Sequence, residues 1–295
     1  MIRTRIIIGI ALAAASAGPL GGQTLRISPT APAPGAIVRL TLHDSVSMDS
    51  PVRISGEMSG EQLHFEKSGE TTWRAIGPIA PDAIGEVAAH VVIERASGKV
   101  DSATAQVSIP KPKPSASTAR RRALSVSPRF TQPMDAETQA RVDKENAQAR
   151  EIGRRSHDSS PMWTSTFVRP RDAIVTSRFG TGRMFNGSLT SRHLGVDFRG
   201  TVGSPIHAAN RGVVALVGDF FLAGNVVYID HGGGVVTAYF HLSKALVAAG
   251  DTVQRGQEIG LVGATGRVTG PHLHWSARYG TVTVNPLDLV SIDRP

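Results

Sequence analysis

Residues 271–275 read Pro271-His272-Leu273-His274-Trp275 (PHLHW), and residues 193–197 read His193-Leu194-Gly195-Val196-Asp197 (HLGVD). Both spacings aim several ligand groups at one point from a short piece of backbone. In an extended strand side chains alternate faces, so His272 and His274, two apart, look to the same side. Zinc takes imidazole nitrogen and carboxylate oxygen at about 2.0 to 2.2 Å, and a catalytic site keeps three protein ligands and an open position for water. Either spacing alone arises by accident in a chain with 10 histidines, where it reads as a partly buried, hydrogen-bonded imidazole. Both together, among short strands punctuated by glycine, point to a metal site. A further imidazole, His241 in AYFHLS, lies between them in sequence.

At these residues the chain resembles the LytM/lysostaphin-type zinc peptidases, peptidase family M23. The stretches VTSRFG, HLGVDFRG, IDHGGG, YFHLS, GDTVQRGQEIGLVGATG, TGPHLHW and VNPL carry the resemblance, between roughly Phe167 and Leu289. It implies a compact antiparallel β-sheet domain with an open groove across the metal, walled by loops such as FGTGRMFNGSLTSR and TGRVTG. It also implies one Zn²⁺ held by His193, Asp197 and His274, with His241 and His272 unligated and facing the reacting carbonyl. No position of the motif set is missing. Asn186 and Tyr239 are weaker candidates for substrate contacts, and each reads equally well as a turn or packing residue.

The implied activity is zinc-dependent hydrolysis of the peptide cross-links of bacterial peptidoglycan. Bound zinc lowers the pKa of water from 15.7 to about 7, which supplies the nucleophile that amide hydrolysis needs. Imidazole, with an unperturbed pKa of about 6.5, suits His241 and His272 to moving protons in both directions. Two other readings compete: a non-catalytic wall-binding or hydrolase-activating module, and a zinc protease acting on glycine-rich proteins. The first would be marked by a lost ligand, and none is lost. Which cross-link bond is cut lies in loop shapes that the motifs do not set.

The 295 residues suffice for two modest domains and a linker, and 40% hydrophobic content permits real cores. With no cysteine, neither a disulfide framework nor a thiolate metal site can form. MIRTR followed by IIIGIALAAASAGPL has the basic leader, short apolar run and small residues of a secretory signal peptide, with cleavage after Ala17 or near Gly22. That run is short of the about 20 apolar residues a membrane span needs, so no stable span is expected after cleavage. The formal charge is +8; without Arg3 and Arg5 it is 30 basic against 24 acidic residues, or +6. Such a surface attracts polyanions. An export signal and few aromatics favour an anionic cell wall, in the periplasm or outside the cell, over nucleic acid.

The expected organisation is mainly β. Residues 1–22 form the signal peptide. Residues 23–110 alternate as strands (IVRLTLH, EVAAHVVIE, ATAQVSI) and suggest an immunoglobulin-like β-sandwich of about seven strands, through which a protein partner could bind. His43, His64 and His90 read as ordinary strand residues. Residues 111–166 form a linker, Pro/Ser-rich and basic at first (PKPKPSASTARRR), then helical through MDAETQARVDKENAQAREIGRR, with alanine, Val142 and Ile152 as contacts for lying across a surface. Residues 167–295 form the peptidase domain. His207 reads as structural, His231 as closing a turn, and His157 as exposed, with a sharper alternative in which His157 and Asp158 cap the zinc in a latent form.

Overall fold

The structure is a computed structural model that describes residues 22–45, 49–110, 122–187 and 189–292. The expected signal peptide, apart from Gly22, and the Pro/Ser-rich start of the expected linker, 111–121, lie outside the described residues. Among the described residues no helix is long and apolar enough to cross a membrane.

The amino-terminal body contains β1 (Gln23–Ser28), β2 (Ile37–Asp44), β3 (Pro51–Met58), β4 (Glu61–Leu63), β5 (Glu66–Lys67), β6 (Thr72–Pro78), β7 (Gly85–Arg95) and β8 (Val100–Ile109). They form two antiparallel sheets, ordered β1-β2-β6-β5 and β4-β3-β7-β8. Alternation drives the arrangement: in β2, Val38, Leu40 and Leu42 are buried while Arg39, Thr41 and His43 are not. They meet Met58, Leu63, Val91, Ile93 and Val107 of the facing sheet in one core. Arg95 of β7 reaches Asp44 of β2 at 2.8 Å with both side chains buried, so an ion pair ties the two sheets at one end.

The carboxy-terminal body begins with β9 (Arg122–Leu124) and helix α1 (Ala136–Arg155). Then come β10 (Val175–Ser177), β11 (Gly182–Phe185), β12 (Leu189–Arg192), β13 (Val196–Arg199), β14 (Pro205–His207), β15 (Gly212–Phe220), β16 (Gly224–Asp230) and β17 (Val235–Ala245). After these follow β18 (Thr252–Val253), β19 (Glu258–Val262), β20 (His272–Tyr279), β21 (Val282–Val284) and the short helix α2 (Pro286–Ser291). The main sheet is ordered β10-β13-β20-β17-β16-β15-β18, with β19 beside β17, β14 beside β19 and β21 beside β20.

Strand periodicity splits this sheet into two chemically different faces. Phe198, Leu273, Trp275, Tyr279, Val235 and Tyr239 point to one side and make the core. Asp197 is paired with His274, and Phe240 with His274, Ala238 with Ser276 and Val236 with Arg278, so these residues share the other side.

Helix α1 lies on that second face. Asp135 caps it by accepting from the Thr138 amide at 2.7 Å. Ala149 and Ile152 pack on Phe220, Tyr228, Val236 and Ala238, which small alanine side chains allow at short range. Gly153 marks the closest approach, since a Cβ there would overlap the Gly280 carbonyl. The described part of the stretch expected as a linker is thus bound to the carboxy-terminal body throughout. β9 pairs in parallel with β11, Phe130 packs on Phe221, and Trp163 and Phe167 enter the main core.

The two bodies also meet. Ile37 and Ile76 of the sandwich join the core of the larger body. Asp288 accepts from the Ile37 amide at 3.0 Å, Gly35 accepts from Asn285 at 2.7 Å, and the Tyr279 hydroxyl donates to Gln62 at 2.9 Å.

Candidate metal centre

His193, Asp197 and His274 converge where β13 and β20 run side by side. Asp197 and His274 are register partners, and HLGVD supplies His193 from the turn just before β13. His193 Nε2 stands 2.9 Å from Asp197 Oδ1 and 2.9 Å from His274 Nδ1, which is 2.8 Å from the same carboxylate oxygen. All three side chains are largely buried. Gly195 makes room for this: a Cβ there would lie 2.5 Å from His274 Nε2. The resemblance grouped these three ligands, and the structure brings them together.

Backbone carbonyls orient the rings. A carbonyl oxygen only accepts, so His193 Nδ1 carries the proton it donates to Arg178 at 3.0 Å, leaving Nε2 with a lone pair for the centre. That lone pair, the Asp197 carboxylate and a neutral His274 make a set of two nitrogens and one oxygen. Acceptors crowded to 2.8–2.9 Å repel unless protons or a cation lie between them. Tetrahedral zinc would need them about 3.4 Å apart, an opening of roughly half an ångström, so the residues fit such an ion. Burial, partly opposed by Asp197, pushes His274 down to about 4. Burial would raise Asp197, yet hydrogen bonds with His193 and His274 outweigh it and hold the carboxyl well below the usual range.

His241 and His272 stand beside the ligand set. His241 has φ +64°, a left-handed conformation that is costly for a side chain with a Cβ, and it sits where the β17 ladder loses its regular register. Regular alternation would send Phe240 and His241 to opposite faces. The irregular backbone instead brings both rings to His274, Phe240 stacked at 5.2 Å and His241 edge-on at 6.0 Å. His241 Nδ1–H donates to Thr265 at 2.8 Å and His272 Nδ1–H to Gly270 at 2.8 Å, so both present bare Nε2 atoms. His272 Nε2 is 3.7 Å from Asp197 Oδ1. Burial first, then the nearby His272 and His274, push His241 well below its ordinary value.

The other expected residues lie elsewhere. Tyr239 faces the core and is fully buried, its hydroxyl bonded to the Ala209 amide at 2.8 Å and to Thr237 at 3.0 Å, so it offers no surface to a ligand. Asn186, at φ +48°, clamps the incoming chain through Val126 N–H (3.0 Å), Val126 C=O (2.9 Å) and the Thr131 hydroxyl (3.1 Å). His157, expected to be exposed or to cap the metal, is instead half-buried between the two bodies. It bonds His64 at 2.8 Å and Glu61 at 3.0 Å, because α1 docks its end against the sandwich. His231 is buried, bonded to Arg211 and Thr237. His207 bonds the Pro170 carbonyl.

Three arginines near the centre carried no signal in the motifs. Arg183 of β11 pairs with Asp197, while Arg199 and Arg267 line the adjoining cleft of about 290 Å³ with Thr269 and His272. Two of them sit in loops expected to wall the groove, but only folding places them against the ligands. A second cavity runs under α1, with Glu145 and Ala149 on one wall and His193 and His274 on the other.

Residues 191–286 match the family model for peptidase family M23. The peptidoglycan DD-endopeptidase ShyA of Vibrio cholerae is 52% identical over 104 residues, which make up 34% of this chain and 24% of that protein. The DD-carboxypeptidase/endopeptidase Mpg of Neisseria meningitidis is 44% identical over 97 residues, 33% of this chain and 22% of Mpg. The matched segments thus span about a quarter of these relatives. A crystal structure of a Pseudomonas aeruginosa protein described as a peptidase M23 is similar over 88% of this chain and 95% of its own, at 27% identity and TM-score 0.64.

Proposed function

We propose that this chain, whose carboxy-terminal domain is a peptidase family M23 domain, is an exported zinc endopeptidase that hydrolyses peptide cross-links of bacterial peptidoglycan, at a bond of the D,D type for which the relatives ShyA and Mpg are named. One observation carries the reading. Three ligand groups converge beside two imidazoles whose Nε2 atoms are left bare by hydrogen bonds at Nδ1.

His193, Asp197 and His274 would hold the ion, which when bound supplies a Lewis acid and a water of lowered pKa. Asp197, as the one anionic ligand, lowers the charge of the site. His272 and His241 accept a proton at Nε2 and return it to the leaving amine, and their rings, 4.9 Å apart, flank the reacting carbonyl. Their shared orientation by backbone carbonyls keeps both in the acceptor tautomer. The burial that holds His241 neutral keeps it a base at neutral pH. Arg183, paired with Asp197, fixes the carboxylate's orientation.

The test is release of soluble muropeptides from purified sacculi. Chelator should abolish it, zinc should restore it, and His272→Ala should abolish it in a folded, metal-loaded protein. Full activity in His272→Ala would remove the assigned proton-transfer role. Cleavage of a glycine-rich protein in preference to sacculi would favour the other substrate class.

A further inference from the structure

The cleft beside the ligand set is cationic beyond what its own carboxylate neutralises. Arg183, Arg199 and Arg267 line it, and Asp197, the one acid among its lining residues, is already used by Arg183 and the two ligand histidines. Arg267 is half-buried, anchored by its amide on the Leu222 carbonyl at 2.8 Å, and its guanidinium lies over the Phe185 ring, 4.5 Å from the centroid. Arg199 lies two residues beyond Asp197 on β13 and directly across from His272, so it leaves the sheet on the ligand face at the exposed rim. Among the described residues, neither guanidinium has a carboxylate or carbonyl partner. By contrast, the buried Arg95 has Asp44, and the half-buried Arg278 has the Thr281 carbonyl.

An arginine keeps its charge inside proteins, so a half-buried, unmatched one is held at a cost that an incoming anion removes. Burial, with the like charge of Arg183 as second cause, pushes Arg267 below its ordinary value, in keeping with a cation short of a partner. The guanidinium fork matches a carboxylate in two parallel hydrogen bonds, and Phe185 covers one face of it while its edge remains for a ligand.

We infer that Arg267, with Arg199 at the rim, binds a free carboxylate of the peptide substrate next to the scissile bond. This rests on the endopeptidase reading and narrows it. A branched cross-link, in which one stem continues past the bridging side chain, carries such a carboxylate close to the cut; a polyglycine bridge does not. Arg267 is then a specificity residue, distinct from the proton-transfer pair.

The experiment uses the zinc-loaded full chain and two synthetic cross-linked peptides that differ only in that carboxylate, free in one and a carboxamide in the other. Wild-type protein should prefer the free carboxylate by about 10- to 100-fold in kcat/KM, chiefly through KM, as expected for a charge-assisted pair. Arg267→Met, which keeps apolar cover on Phe185, should bring the ratio close to one. Arg267→Lys should retain part of it, and Arg199→Met, at an exposed position, should reduce it by a smaller factor. Equal cleavage of both peptides by wild-type protein, or an undiminished ratio in Arg267→Met, overturns the inference and leaves the endopeptidase reading standing. No cleavage of either peptide by the zinc-loaded wild type overturns both.

Discussion

The rings of His241 and His272 lie 4.9 Å apart although their residues come from β17 and β20 by different routes. His272 gets there by regular strand alternation, two residues before the ligand His274. His241 gets there only through a left-handed backbone conformation at φ +64°. Strain of this kind costs on the order of 1–3 kcal/mol and persists where surrounding structure enforces it, here the bond from Nδ1 to Thr265.

His241→Ala and His272→Ala should each lower kcat by about 10²- to 10⁴-fold while zinc content stays near one per chain. His274→Ala and Asp197→Ala should instead lose the metal. Metal analysis of the same preparations used for kinetics separates the two groups, and a zinc-free His272→Ala protein would contradict the division.

Chelation should lower stability as well as activity. An ion that binds the folded site and not the unfolded chain contributes roughly 3 kcal/mol at a hundred times its dissociation constant. Thermal unfolding followed with and without chelator should show the loss, and zinc should reverse it. Identical unfolding curves would mean that the three ligand groups hold no ion.

Gly195→Ala places a methyl 2.5 Å from His274 Nε2 and 2.7 Å from the Trp275 carbonyl, which belongs to the sheet and cannot withdraw. The ligand ring must turn, so zinc affinity should fall by about 10- to 100-fold with the fold retained. Competition with a metallochromic chelator measures it.

Gly153→Ala reverses a common rule. Alanine in a helix interior normally gains about 1 kcal/mol over glycine. Here the methyl would overlap the Gly280 carbonyl, and overpacking of that kind costs about 1–3 kcal/mol, so the variant should melt lower than wild type. A higher melting temperature would show that α1 does not sit this closely on the turn after β20.

Acid should loosen the junction between the two bodies, through His64 and Glu61, and the interior of the carboxy-terminal body, through His231. Burial, then the neighbouring His157, pushes His64 below its ordinary 6.5, and burial pushes His231 to about 4. For Glu61, hydrogen bonds from His157 and Thr281 outweigh burial and hold it below 4.5. All three are depressed in the folded state, so the unfolded chain binds more protons and stability rises with pH. The contribution of the histidines is therefore intact above about pH 6.5 and shrinks as pH falls from there, and that of Glu61 shrinks below about 4.5. Melting temperatures between pH 7.5 and pH 5 should decline, and His64→Gln should make the slope shallower. An equal slope in that variant would assign the effect elsewhere.

Much of this molecule was legible along the chain because strand periodicity and metal-ligand spacing are local. The alternation in β2, β7 and β20 and the helix from Ala136 follow from residues a few positions apart, whereas the grouping of His193 and Asp197 with His274, which is 77 positions from Asp197, was implied by the family resemblance. What escaped were contacts between distant segments. His157 and His64, 93 positions apart, read as an exposed residue and an ordinary strand residue, yet they bond each other at 2.8 Å. Tyr239 read equally as a weak candidate for a substrate contact and as a packing residue, because alternation tells that two faces exist but not which one becomes core.

By itself, then, the sequence determined the β architecture, which depends on short-range stereochemistry, and through a family resemblance it named His193, Asp197 and His274 as candidate ligands. Only the tertiary structure decided three further matters: that α1 lies on the face that carries Asp197 and His274, that a backbone irregularity turns His241 toward His272, and that Arg267 stands beside the centre without a carboxylate partner among the described residues. Each results from packing between segments far apart in the chain, where the position of a side chain is set by the shape of its neighbours and not by its own residue type.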